Sequence, residues 1–145
     1  MRNDATDGGG GHAVLRANRV TAGVPAGHVQ LFAETDRGAV RWRLLSGNNR
    51  ELGRGRETFA DAEACRLVIK ELQAETEEVI PSIRRVGSHL WSWQLMRGDE
   101  VVAEASHAYD RRIRCEQAMM QFAAQLREAV VRPDIMLTNA RRWQR

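Results

Sequence analysis

The sequence predicts an α+β fold of two repeats around one shared core, and three observations predict it. Val40-Arg41-Trp42-Arg43-Leu44 is written nearly again as Trp91-Ser92-Trp93-Gln94-Leu95, with Trp93 51 residues after Trp42. Both phrases alternate apolar and polar side chains, the period-2 signature of a half-buried strand with Val40, Trp42 and Leu44, or Trp91, Trp93 and Leu95, turned inward. Each is followed by an apolar stripe at helical spacing, Cys65, Val68, Ile69 and Leu72 in the first half, and Cys115, Ala118, Met119, Phe122 and Leu126 in the second. Cys115 lies 50 residues after Cys65, so the repeat changes length only in the loop between Gly47 and Thr58, as a structural unit does.

Taken in order, residues 1–27 hold the Gly8–Gly11 run and no sustained period, and are expected to be a flexible leader. Residues 28–138 are expected to be one domain of two repeats, 28–79 and 80–138. Val29–Phe32 opens the first as a short strand, and Asp36-Arg37-Gly38 supplies hairpin turn chemistry. The Trp42 strand ends at the turn Gly47-Asn48-Asn49. Arg50–Arg54 reads as a third strand interrupted by Gly53 and Gly55. Phe59 precedes a helix that Asp61 or Thr58 caps and that ends near Thr76. Val79, Ile80 and Ile83 are strand-like, with Pro81 marking an edge or a bend. The second repeat adds strands at Leu90–Met96 and Glu100–Ala105, Tyr109, and a helix from about Asp110 to Val130 that Pro133 stops. Ile135-Met136-Leu137 reads as a final short strand, and 139–145 as a basic tail carrying Trp143.

At 145 residues and 43% hydrophobic content the chain is the size of one domain with a core to fill, and each half alone is marginal. The first residues lack the apolar stretch of a secretory signal and no run reaches membrane-span length, so a cytoplasmic protein without a membrane partner is expected. The net charge of +3 sits at the ends: residues 29–131 carry 15 basic and 16 acidic side chains. Of the 22 basic residues only Lys70 is lysine; codon bias toward arginine accounts for this more simply than phosphate recognition by guanidinium forks.

No catalytic set emerges. The two cysteines lie on apolar stripes with no adjacent His, which fits core packing in a reducing compartment. His12, His28, His89 and His107 share no metal-ligand spacing, no serine sits in a nucleophile elbow, and no Gly-rich phosphate loop joins a strand to a helix. The acidic run around Glu75, Glu77 and Glu78 reads as a solvated helix end. An enzyme, a metal and a cofactor are therefore not expected.

The strongest binding candidate is the outward face of the Trp42 strand. Arg41 and Arg43 point away from Trp42, with Arg54 and Arg56 nearby, and Arg141 and Arg142 in the tail complete a set able to grip nucleic acid or another polyanion. Against it, the second copy has Ser92 and Gln94 in place of the two arginines, no outward aromatic interleaves them, and the acidic first helix is expected to balance their charge. A solvated face is favoured. The expected core is Trp42, Leu44, Phe59, Cys65, Ile69, Leu72, Trp91, Trp93, Leu95, Tyr109, Cys115, Met119 and Phe122. Trp143 either folds back or docks on a partner.

The order of a hairpin with a W-x-L strand, a Gly or Asn turn, a third strand and an aromatic before the helix, all written twice, resembles the YegP-like family of uncharacterised bacterial and archaeal proteins. Trp42, Leu44, Gly47, Asn48, Phe59, Asp61 and Ile69 carry the resemblance in the first copy, and Trp93, Leu95, Gly98, Tyr109 and Met119 in the second. It implies tandem β3-α-β units building one antiparallel sheet with two packed helices and pseudo-two-fold symmetry. The last strand of each unit, at Val79–Arg85 and Asp134–Thr138, would be exchanged into the other half. It brings no activity. The expectation is a non-enzymatic prokaryotic scaffold or interaction module with an unknown protein partner and an undefined oligomeric state; polyanion binding is the alternative.

Overall fold

The computed structural model describes residues 27–35 and 38–138. The expected leader up to residue 26, the turn residues Asp36 and Arg37, and the expected tail with Arg141, Arg142 and Trp143 lie outside the described residues.

Strands β1 (His28–Ala33), β2 (Arg41–Leu45) and β3 (Glu51–Gly55) lead into helix α1 (Ala62–Ala74). A 3-10 turn, Thr76–Glu78, leads on to β4 (Ile80–Val86), β5 (Leu90–Arg97), β6 (Glu100–Ala105), helix α2 (Arg112–Glu128) and β7 (Val130–Leu137). The seven strands form one sheet in the order β4-β5-β6-β3-β2-β1-β7. Every neighbouring pair is antiparallel except β1 and β7, so the sheet is mostly, and not wholly, antiparallel as the sequence suggested. The parallel pair follows from connectivity: β7 leaves the end of a helix, and the return over the sheet brings it beside β1 in the same direction.

Both halves use the same local chemistry. Val40 and Phe59 exchange backbone hydrogen bonds at 2.8 Å, and Trp91 and Tyr109 do so at 2.7 Å, each closing the chain back beside its tryptophan strand before the helix begins. The two turns after the tryptophan strands each need one left-handed residue, supplied by Asn49 at φ 66° and by Gly98 at φ 64°. Asp61 caps α1 by accepting from the Ala64 N–H at 2.8 Å.

The helices pack on one face of the sheet. Phe122 of α2 lies between the two tryptophans, with ring centroids 6.3 Å from Trp42 and 4.8 Å from Trp93. Cys65, Ile69 and Leu72 of α1 and Cys115, Met119 and Leu126 of α2 fill the space around them with Leu44 and Leu95. Gly53 and Gly55 do not interrupt β3. A methyl group on Gly53 would lie 2.7 Å from both Phe122 and Trp93, and one on Gly55 would run into the Trp42 indole, so the glycines let the aromatic rings lie on the strand backbone.

Three expected core residues, Phe59, Trp91 and Tyr109, are half-buried. Trp91 sits near the edge, flanked by the Arg85 and Arg112 guanidiniums at 5.2 and 5.1 Å from its ring. Pro133 does not stop α2, which ends at Glu128; it lies inside β7. β7 is an edge strand, where a missing N–H is tolerated, and its pairing with β1 slips by two residues across Pro133: Val29 faces Val131, yet Leu31 faces Ile135. β4, the other edge, carries Pro81 as that residue requires. Among the described residues β4 pairs with β5 alone, and β7 with β1 alone. A strict β3-α-β pattern in both halves would count β4 twice, because the described residues have three strands before each helix and only one after α2.

Candidate functional site

The face opposite the helices holds the candidate arginines, and register makes it polar. Ser82, Gln94, Glu104, Arg54, Arg43 and Gln30 are successive cross-strand partners from β4 to β1, a row running across six of the seven strands. Arg43 and Arg54 stand directly opposite one another, which would be repulsive if left alone.

Glu51 resolves this repulsion. Its Oε1 accepts from Arg43 Nη1 at 3.1 Å, and its Oε2 accepts from Arg54 Nη2 at 2.6 Å and Nε at 2.9 Å. The Ser106 hydroxyl donates to the same Oε2 at 2.6 Å. Strict alternation from Gly53 would turn Glu51 toward the helices. The register shift between Leu44 and Leu45 breaks that alternation, and its carboxylate reaches the arginines instead. Partial burial works to raise the Glu51 pKa. The hydrogen bonds from Ser106 and Arg54, the charge of Arg54 and the hydrogen bond from Arg43 outweigh it and hold the carboxyl below its usual range.

Arg43 and Arg56 have further partners, whereas the buried Arg41 Nε has no hydrogen-bond partner among the described residues. Arg43 Nε donates to Gln30 Oε1 at 2.9 Å, and Nη2 lies 3.6 Å from the Met136 sulfur. Arg56 pairs with Glu104 at 3.7 Å. Contrary to the expectation that no outward aromatic interleaves these arginines, Phe32 of β1 faces Arg41 across the ladder, with the Arg41 and Arg43 guanidiniums 5.8 and 4.8 Å from its ring. Sequence reasoning looked along one strand, whereas Phe32 arrives from the next. Its face is occupied by the guanidiniums, so it is no free stacking platform. The counter-charge differs from expectation too. The acidic helix α1 lies on the other face, where Glu75 pairs with Arg97 at 3.2 Å; the acids that balance the arginines are Glu51 and Glu104 of the sheet itself.

The structure thus brings Arg41, Arg43, Arg54 and Arg56 onto one face and adds five residues that sequence reasoning missed: Gln30, Phe32, Glu104, Ser106 and Met136. Glu51 was visible in the sequence as the lone acid among arginines, but its role was not. Among the described residues no three His, Cys, Asp or Glu side chains converge as a metal site requires.

The second notable surface is the outer edge of β7, which pairs with no strand among the described residues. Ile135, Met136 and Leu137 are 37%, 47% and 45% exposed, with Val130 at 63%. Both edge strands carry proline and charge, Pro81, Arg84 and Arg85 in β4 and Arg132, Pro133 and Asp134 in β7, the residues that discourage strand addition, and residues 135–137 of β7 form an uncharged run beyond them.

This arrangement defines an α+β domain with a helix-backed, mostly antiparallel sheet and one polar face. Its fold is that of the solution structure of yegP from E. coli, a protein of unknown function, at a TM-score of 0.60 and 13% identity, covering 77% of this chain and 96% of that one. A UPF0339 protein from Shewanella oneidensis matches at a TM-score of 0.60 and 8% identity, covering 76% of this chain and 92% of the other. No family model and no curated protein matches the sequence.

Proposed function

We propose that the chain is a non-enzymatic, tandem-repeat interaction module of the YegP-like type, which docks a protein partner at the outer edge of β7. The observation that carries this reading is the uncharged, exposed Ile135-Met136-Leu137 segment on an edge strand, beyond the Arg132-Pro133-Asp134 run of the same strand. An extended partner segment added there gains main-chain hydrogen bonds and covers apolar side chains. The paired bridges Val40–Phe59 and Trp91–Tyr109 support reading the two halves as versions of one unit. The buried thiols of Cys65 and Cys115 suit a reducing, cytoplasmic setting.

The polyanion alternative has Arg41 and Phe32 in its favour. It is weakened by the carboxylates that already hold Arg43, Arg54 and Arg56. One comparison separates the two. The wild type, Ile135→Lys and the double variant Arg41→Ser/Arg43→Gln are used as baits in the same lysate with and without nuclease. Protein captured by the wild type and the arginine variant but lost with Ile135→Lys supports edge docking. Capture that nuclease or the arginine changes abolish, and that Ile135→Lys leaves intact, supports the alternative.

A further inference from the structure

The geometry of β7 points to a specific occupant. We propose that the outer β7 edge pairs with the same edge of a second copy of this chain, antiparallel and centred on Met136. This deepens, and rests on, the reading of β7 as a docking edge.

The backbone sets the register. The Thr138 N–H donates to the Ala33 carbonyl at 2.8 Å, toward β1. Backbone groups alternate in direction along a strand, so Met136 also addresses β1, and the N–H and C=O groups of Ile135 and Leu137 point out of the sheet. Beyond Asp134 the run is broken by Pro133, which has no N–H to give and lies where the pairing slips. The usable edge is therefore 134–138.

Within that run the strand is its own complement. A two-fold axis at Met136 places Ile135 opposite Leu137 of the second copy, twice, and each such pair exchanges both backbone hydrogen bonds. Ile135 and Leu137 share the helix-side face, since they lie beside the buried Leu31 and Ala33, so the two pairs cover each other's exposed side chains. Met136 meets its counterpart on the polar face, where Phe32 is its ladder partner. Asp134 faces Thr138 of the other copy, and the two Asp134 residues end up about 13 Å apart along the strands, beyond the ~8 Å reach of charge repulsion at physiological salt. Shifting the axis to Ile135 is worse: it sets Asp134 against Met136 and places Pro133 where a hydrogen-bond donor is required. The interface is shorter than the roughly 20–30 residues a side of a standard complex, so the dimer is weak and depends on concentration.

The test uses the full-length chain in analytical ultracentrifugation from low micromolar to submillimolar concentration. The expected result is a weight-average mass rising toward twice the 16.4 kDa of one chain. Ile135→Lys alone and Leu137→Glu alone should each weaken association at least tenfold, because each sets a lone charge against an apolar side chain. The double variant Ile135→Lys/Leu137→Glu should restore it, because the register sets the new lysine of one copy against the new glutamate of the other. Circular dichroism and melting curves confirm that each variant is folded. A wild type that stays monomeric throughout overturns the proposal, as does association that survives the single changes or is not restored in the double variant. Slow amide exchange at Ile135 and Leu137 in dilute monomer also overturns it, assigning the edge to another segment of the same chain. The docking reading has its own readout: a monomeric wild type that loses captured protein on Ile135→Lys sinks self-pairing and leaves docking standing.

Discussion

Ser106 donates to Glu51 across 55 residues of sequence, and this 2.6 Å bond joins the residue just after β6 to the carboxylate that holds Arg43 and Arg54 together. It lies at the seam where β3 meets β6, which with β1–β7 is one of the two strand pairings that join the first half of the chain to the second. Glu51→Gln keeps the shape and removes the charge, leaving two guanidiniums opposed. The expected cost is about 1–2 kcal/mol, below the full value of charged hydrogen bonds because the side chains are partly exposed. Denaturant melts at neutral pH measure it. The Glu51 pKa is lower folded than unfolded, so this stabilisation is complete above the ordinary carboxylate value and is lost as pH falls through the folded one. The stability gap between wild type and Glu51→Gln should therefore narrow in acid. A gap independent of pH would show that the charge is not what matters.

Gly55 tests whether the aromatic core dictates the backbone. Gly→Ala in a strand ordinarily stabilises slightly, yet at Gly55 the new methyl would meet the Trp42 indole, and at Gly53 the Phe122 and Trp93 rings. Each single change should cost about 1–3 kcal/mol, with a blue or red shift of tryptophan fluorescence as the rings move. Gly38→Ala, whose nearest neighbours lie at 3.4 Å, is the control and should be nearly silent.

The cysteines should label slowly in the native state. Both are fully buried, and burial pushes the Cys65 thiol up to about 12 and raises that of Cys115. At pH 8 neither is appreciably thiolate, so a thiol reagent should react only as fast as the domain opens, and quickly once denaturant is added. Prompt native labelling of either residue would remove it from the core.

The sequence made the core legible because burial follows local periodicity. Trp42, Trp93, Cys65, Ile69, Cys115 and Phe122 could each be placed from a spacing of two or of three and four, and each is buried. Phe59, Trp91 and Tyr109 sit only half-buried because they lie at the margins where the chain turns back on its strand, which periodicity does not register. The open face was legible only in outline. Arg41 and Arg43 were assigned outward by alternation, but their partners come from β1, β3 and β7, and Glu51 joins them only because a bulge breaks the alternation on which sequence reasoning relied. Pro133 misled for a similar reason: a proline after a helix reads as its stop, while the same residue is tolerated inside an edge strand.

Severing the halves should destroy both. Residues 28–79 retain β1, β2, β3 and α1 but lose Phe122, Trp93 and the β6 and β7 neighbours of β3 and β1. Expressed alone they should be unfolded or self-associated, as a fragment of about 50 residues with half a core would be. A cooperative, monomeric melt of this fragment would refute the shared core.

Arg41 and Arg43 decide between a solvated face and a polyanion site. If both contacted phosphates, replacing them with Ser and Gln, as the second half has, would reduce the slope of log K against log salt by roughly 1.4 to 1.8. The expected outcome differs, because Arg43 already spends its donors on Gln30 and Glu51, and Glu51 also neutralises Arg54. A phosphate would have to displace a carboxylate held by three side chains. Wild-type binding to a single-stranded or duplex oligonucleotide at physiological salt should therefore be weak or absent, while the double change should still cost stability, about 1 kcal/mol from the lost Arg43 contacts and little from Arg41. Fluorescence anisotropy across a salt series, paired with denaturant melts, separates the two. Tight binding near 150 mM salt that collapses in the double variant would promote the polyanion reading over edge docking.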